Sequence, residues 1–345
     1  MKKLLILFLM LISCSFANEI DDKISQMIII GFDGNSVKSR GFKRVEKQLK
    51  NNLISGVILF SKNIKSKEDL IEMTTSLKSS SNTLPFIAID NEGGMVQRYN
   101  FEQYETSVDV AKKGSAFAHK QYSKMAKLEK ELGINLNFAP VVDLNINKNS
   151  IIAKKQRSFS SDPKVVAKYA KIFIDEHNKY KVMTSLKHFP GHGAVTGDTH
   201  KGFVDATNTF SNDELKPYYA LNKENTTVMV SHIYNSKFDN RNPASLSKKT
   251  IDYLKNDIGF NGVIISDDYD MGAIRDNYSL KDIVVNSINS GINIMIFSNN
   301  LNYKDKNIAK KVRKIVKSEI KKGNIKEADI EKSYEKIVKL KATLK

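Results

Sequence analysis

Apolar residues along this chain gather in short continuous runs rather than in strict alternation with polar ones. Eight such runs recur, at Met27–Phe32, Ser55–Phe60, Pro85–Ile89, Leu136–Val142, Val182–Leu186, Thr227–Val230, Gly262–Ile265 and Ile292–Phe297, each bounded by Gly, Asn or Asp. Helix-length charged stretches separate them. A short run apolar on both faces predicts a strand covered on both sides, and strand alternating with helix predicts βα units around a parallel sheet. Eight units predict an α/β fold, a single (β/α)8 barrel of the TIM type, although an open doubly wound sheet shares the pattern.

A barrel adds a demand, because its reactive side chains sit where strands end at one face. The residues that follow the runs include Lys62, Asp90, Asp143, Lys187 with His188, His232 and Asp267. From Lys304 onward, Ile308, Val312, Ile315 and Ile320 recur at helical spacing among lysines. They predict a solvated amphipathic helix packed on the barrel. No Pro/Gly/Ser linker, internal repeat or low-complexity block marks a second catalytic domain. The expected organisation is a leader over 1–17 and one barrel domain over 18–345 that includes the lysine-rich helical segment.

The leader is read from Met1-Lys2-Lys3, the apolar run Leu4 to Ile12 and the small residues after it, the layout of a signal peptide. The run is too short for a membrane anchor, and no later stretch is long enough for one. Two processing readings stand: cleavage after Ala17 at Ser15-Phe16-Ala17, or a lipobox at Leu11-Ile12-Ser13-Cys14 that leaves a lipidated Cys14. The expected location is outside the cytoplasm, periplasmic, with membrane attachment only through Cys14. That cysteine is the only one, so the folded body has neither an intramolecular disulfide nor a cysteine nucleophile.

The formal charge of +17, which falls by two if Lys2 and Lys3 are removed, favours anionic partners, though Lys, Asn and Ile enrichment across the chain explains it equally well. Nucleic acid is a poor fit to an exported chain without an aromatic-interleaved basic motif. Anionic cell-wall glycopeptide fits better.

Two segments carry candidate chemistry. Lys187-His188-Phe189-Pro190-Gly191-His192-Gly193, followed by Gly197-Asp198-Thr199-His200, places three histidines in a glycine-rich loop after a strand. A zincin would need two on one helical face, which Pro190, Gly191 and Gly193 forbid. Asp198, two residues before His200, can orient its imidazole and raise its basicity, as in acid/base dyads. The same residues can equally be loop groups bonded to the backbone. In Ser266-Asp267-Asp268-Tyr269-Asp270, three acids within four residues suit divalent-cation ligands or helix caps, while Asp267 emerges where a barrel places a nucleophile.

Taken in order, Asp90-Asn91-Glu92-Gly93-Gly94, Asn137 through Asp143, Arg157-Ser158-Phe159, Lys187 through Gly193 with Asp198-Thr199-His200, and Ser266-Asp267-Asp268 resemble glycoside hydrolase family 3 from about Ile20 to Asn300. The likeness is to its β-N-acetylhexosaminidase branch, which trims muropeptides. It implies Asp267 as nucleophile, His200 as acid/base and Asp198 as its orienter. It also implies Asp90, Arg98, Arg157, Lys187 and His188 as binders of the N-acetylglucosamine hydroxyls, with His232 as a further site residue. No metal or organic cofactor is implied; the expected partner is a β-N-acetylglucosaminide, peptidoglycan-derived by default, and the expected state is a monomer. A retaining glycosidase commonly pairs two carboxylates, and in this branch a histidine dyad replaces one. β-Glucosidase or phosphorolytic activity of the same family, or a non-catalytic wall-sugar-binding role, are the alternatives. Met95 stands where the family usually has arginine, and Ala194 where aspartate commonly follows Gly-His-Gly.

Overall fold

The computed structural model describes residues 19–301 and 303–345, so the expected leader, its cleavage site and Cys14 lie outside the described residues. Eight parallel strands close into a barrel in sequence order: β1 (Ile28–Ile30), β2 (Gly56–Leu59), β3 (Phe86–Ile89), β4 (Leu136–Asn137), β5 (Met183–Phe189), β6 (Thr227–Val230), β7 (Ile264–Asp268) and β8 (Ile294–Phe297). β8 pairs back onto β1 through Ile28↔Met295, Ile29↔Ile296 and Ile30↔Phe297, which removes any free edge. The (β/α)8 reading holds and the open sheet does not.

Each strand lies within or across its apolar run because helices cover the outside while strand side chains fill the inside. The helix Pro163–Lys179 shows how the outer layer is made. Asp162 caps it by accepting from the Lys164 amide, Pro163 opens it, and Val166, Tyr169, Ala170, Phe173, Ile174 and His177 form its buried stripe. Phe173 meets Tyr122 of the helix Ser115–Glu131 edge to face at 4.7 Å. Truncating Phe173 to Ala would cost about 3–5 kcal/mol, since so closed a site cannot collapse around the loss.

Three boundaries differ from the sequence reading. β4 pairs over only Leu136–Asn137, and the run to Val142 rejoins the sheet as a single bridge, Val141 to Lys187. β5 and β7 run further than their apolar runs, so Lys187, His188, Asp267 and Asp268 lie inside strands rather than after them. The C-terminal segment is two helices, Ile308–Lys321 and Glu327–Ala342, not one. Gly323, at φ +77°, turns the chain between them, a left-handed stop that favours glycine.

Candidate active site

Ends of strands β2, β3, β5, β7 and β8 surround a cavity of about 300 Å³ lined by, among others, Asp90, Glu92, Arg98, Arg157, Lys187, His188, His200 and Asp267. Asp90 leaves the end of β3, and the next residue fixes it there. The Asn91 amide donates to Asn137 Oδ1 at 3.0 Å, while the Asn91 and Asn137 side chains both donate to the buried Glu129 at 2.8 and 2.9 Å. Those two asparagines are scaffold, which explains their place in the motifs.

The inner wall is a continuous charge network. Lys187 Nζ bonds Asp90 at 2.9 Å and Glu92 at 2.7 Å; Arg98 reaches Asp90 at 3.1 Å; Arg157 clamps Glu92 with two bonds of 2.8 and 2.7 Å. Burial alone would raise both carboxyls, but the adjoining cations overcome it: Lys187 and Arg98 hold Asp90 well below the usual range, and Arg157 and Lys187 hold Glu92 at about 2. Three cations against two anions leave donors for a neutral polyol. Removing one member would strand a buried charge, so the network is costly to break even where its net worth is modest.

His188 extends the network. Its Nε2 faces Arg157 Nη2 at 3.2 Å and its Nδ1 faces Asp143 Oδ2 at 2.6 Å. A carboxylate only accepts, so Nδ1 donates to Asp143. Asp143 also accepts from the amides of His188 at 3.1 Å and His192 at 2.8 Å. Burial pulls Asp143 up, but His188 outweighs it and keeps the carboxyl low.

Across the cavity, β7 presents Asp267. The β7–β8 register shifts between Ile265 and Asp268, an irregularity that re-aims consecutive side chains. Asp267 Oδ1 accepts from the Asp268 amide at 2.8 Å, and burial, which would raise its carboxyl, is outweighed by His232, His188 and His200, so it is held below its ordinary value. Asp268 and Asp270 do not converge as a ligand pair: Asp268 accepts from the Ser298 amide at 2.9 Å and Asp270 from the Asn299 amide at 2.9 Å, tying β7 to the end of β8.

The third wall is the loop that leaves β5. Asp198 Oδ1 accepts from both the His200 amide at 3.0 Å and His200 Nδ1 at 2.9 Å. The proton is therefore on Nδ1, which leaves Nε2 free on a side chain that is 60% exposed and lines the cavity. The tip of this loop is tied to β7: Gly272 and Ala273 donate to the carbonyls of His200 at 3.3 Å and Thr199 at 3.2 Å.

The structure gathers eight of the nine expected residues around the cavity, seven of them in its lining, with Asp198 bonded to His200. The ninth, His232, is not among the lining residues. Its ring is fully buried, Nδ1 bonds Ser245 Oγ at 2.7 Å, Nε2 donates to the Asp268 carbonyl at 2.9 Å, and the ring stacks on Tyr269. Both nitrogens are spent on protein, so it braces β7 and has nothing left for a sugar. Lys62, also at a strand end, pairs with Asp33 on the surface at 2.6 Å. Met95 lines the cavity 67% exposed, whereas Ala194 is buried. Sequence reasoning left three contributors without a role. Glu92 was visible inside the Asp90–Gly94 motif and Asp143 at a strand end; Glu214, whose carboxyl oxygens accept from the Gly193 and Ala194 amides at 2.6 and 3.2 Å, had no local signal. Burial first, then Asp143, pushes Glu214 up to about 8 against the bonds from the Gly193, Ala194 and Leu144 backbone.

The Glycosyl hydrolase family 3 N terminal domain matches residues 19–340. The chain is 34% identical over 272 residues to Beta-hexosaminidase A of Pseudoalteromonas piscicida, covering 70% of this chain but only 45% of that relative. It is 30% identical over 285 residues to Beta-hexosaminidase of Xylella fastidiosa strain M23, covering 78% of this chain and 82% of the relative. A solved glycosyl hydrolase of the same family from Mycobacterium smegmatis superposes with a TM-score of 0.82 at 24% identity, over 93% of this chain and 96% of that one.

Proposed function

Because the chain belongs to glycoside hydrolase family 3, we propose that it is a retaining exo-β-N-acetylglucosaminidase that removes terminal β-linked N-acetylglucosamine, with peptidoglycan fragments as its source. The observation that carries this reading is the opposition of a half-buried, ionised Asp267 and a histidine whose Nδ1 is held by Asp198 and whose Nε2 has no partner among the described residues. The charge network beside them suits a ring of hydroxyl groups.

In the first step His200 enters as the imidazolium, with Nδ1–H held by Asp198; an Asp267 oxygen bonds the anomeric carbon as the glycosidic C–O bond breaks, and Nε2 gives its proton to the departing oxygen, leaving the neutral ring. In the second, Nε2 takes a proton from water, the water oxygen bonds the anomeric carbon, and Asp267 leaves as carboxylate. Two inversions give net retention. Asp267 stays ionised because the surrounding histidines outweigh its burial, and the Asp198 carboxylate stabilises the imidazolium that forms. Asp90, Arg98, Lys187 and His188 fix the sugar before reaction, which lowers the barrier by pre-positioning. An exported enzyme would meet its substrate at the wall, consistent with the leader-like sequence before Glu19.

The test is release of p-nitrophenol from the β-N-acetylglucosaminide and the β-glucoside side by side. Turnover confined to the first supports the proposal. Preference for the glucoside contradicts the sugar assignment, and no turnover of either favours a binding protein.

A further inference from the structure

The loop between β5 and the acid/base histidine is held at two points. At its far end Gly272 and Ala273 donate to the His200 and Thr199 carbonyls, just beyond β7. At its near end Gly193 N–H donates to one Glu214 oxygen at 2.6 Å and Ala194 N–H to the other at 3.2 Å, while the Ala194 carbonyl accepts from Asn147 Nδ2 at 2.8 Å. One residue earlier, Asp143 takes the His192 amide. Ala194 is thus fixed at both its N–H and its carbonyl, and the chain from Val195 to Thr199 spans two anchors with Asp198 near its end.

Glu214 is fully buried on the short helical turn Asn212–Leu215 and meets no lysine or arginine in an ion pair among the described residues. A buried carboxyl without a cation is unfavourable unless its hydrogen bonds do something the fold requires. The approach is also why residue 191 is glycine. Gly191 lies at φ +149°, and a Cβ there would come within 2.6 Å of Glu214 Cβ and 2.8 Å of its Cδ. The loop's glycine and the distant acid are a matched pair.

We propose that Glu214 is a positioning residue for acid/base catalysis: by holding the Gly193 and Ala194 amides it sets where the Asp198–His200 dyad stands relative to Asp267. It touches no reacting atom and acts through the backbone of the loop. The inference rests on the proposed roles of His200 and Asp267.

Glu214→Gln keeps the volume and can accept only one of the two amides, and Gly191→Ala disturbs the same contact from the other side. In kcat/KM, which reports the bond-breaking step, Glu214→Gln should lower turnover of an alkyl N-acetylglucosaminide by about tenfold or more and of the dinitrophenyl one by less than about twofold, because only the poor leaving group needs the proton. Gly191→Ala should follow the same split. Equal losses on both substrates, or no loss on either, would overturn the assignment. A second measurement does not depend on turnover: amide hydrogen exchange should accelerate over residues 193–200 in Glu214→Gln with the barrel strands unchanged. Unchanged exchange in the loop, or acceleration throughout the barrel, would contradict positioning. If the unaltered protein releases neither aglycone, the hydrolase reading fails, and the exchange result still decides whether Glu214 holds the loop.

Discussion

The two walls that meet around Asp267 are built on opposite principles. The wall proposed to bind the sugar consists of residues in or just after strands, locked by reciprocal charge: Lys187 and Glu92 side chains are 2 and 3% exposed, and every carboxylate oxygen of Asp90 and Glu92 has a cation partner. The wall proposed to carry the proton is a loop whose His200 side chain is 60% exposed and has one side-chain partner among the described residues, Asp198. A binder works by being in place before the sugar arrives, so rigidity helps it. A proton carrier has to reach the departing oxygen and then water, so Nε2 stays free and the loop is pinned by its backbone instead.

Breaking the comparison at its centre should give the largest effect. Asp267→Ala should reduce turnover by about 10⁴-fold or more while the circular dichroism spectrum and melting transition survive. Next, His200→Ala should lower kcat/KM on an alkyl N-acetylglucosaminide by about 10²–10⁴-fold and leave the dinitrophenyl substrate nearly unchanged. Matching losses on both would remove it from the proton-transfer role.

Lys187→Met attacks the rigid wall. It leaves Asp90 with Arg98 alone and Glu92 with Arg157 alone, and should cost about 3–5 kcal/mol in denaturant unfolding as well as affinity. The same change has a pH signature. Asp90 and Glu92 are held low in the fold, so their stabilisation is present above the ordinary carboxylate values and lost as pH falls through the lowered ones. Removing Lys187 lets both carboxyls rise, and the acid-unfolding midpoint should move to higher pH. A midpoint unmoved or lower would show that the cation does not hold them.

The smallest effect belongs to a strand-end residue outside both walls. Lys62→Ala breaks a surface pair with Asp33 and a long bond to the Asn299 carbonyl and should change stability by less than about 1 kcal/mol, with activity intact.

How much of this was legible follows from the range of each interaction. Strands such as Ile87 to Ile89 are declared by their own apolar content, so the barrel and its order could be read locally. β5 and β7 run past their apolar runs because Lys187, His188 and Asp267 are polar residues inside strands, against the local pattern. The two C-terminal helices read as one because Ile320 and Ile325 keep the apolar rhythm across Gly323, whose left-handed turn was the overlooked stop. Asp198 and His200 are neighbours in sequence and could be paired from it. Arg157 and Glu92 are 65 residues apart and Lys187 and Asp90 are 97 apart, so only folding brings their charges together. Burial, invisible in a residue string, separates His200 from His232: the loop histidine keeps a nitrogen without a partner among the described residues, while the one after β6 spends both.

The central claim, that Asp267 forms the bond to the sugar, is tested most directly by incubating the protein with a slow fluorinated N-acetylglucosaminide analogue and mapping the adduct by peptide mass spectrometry. The account predicts one sugar on the peptide carrying Asp267 and none in Asp267→Ala. A label on another residue, with Asp267 unmodified, would contradict it.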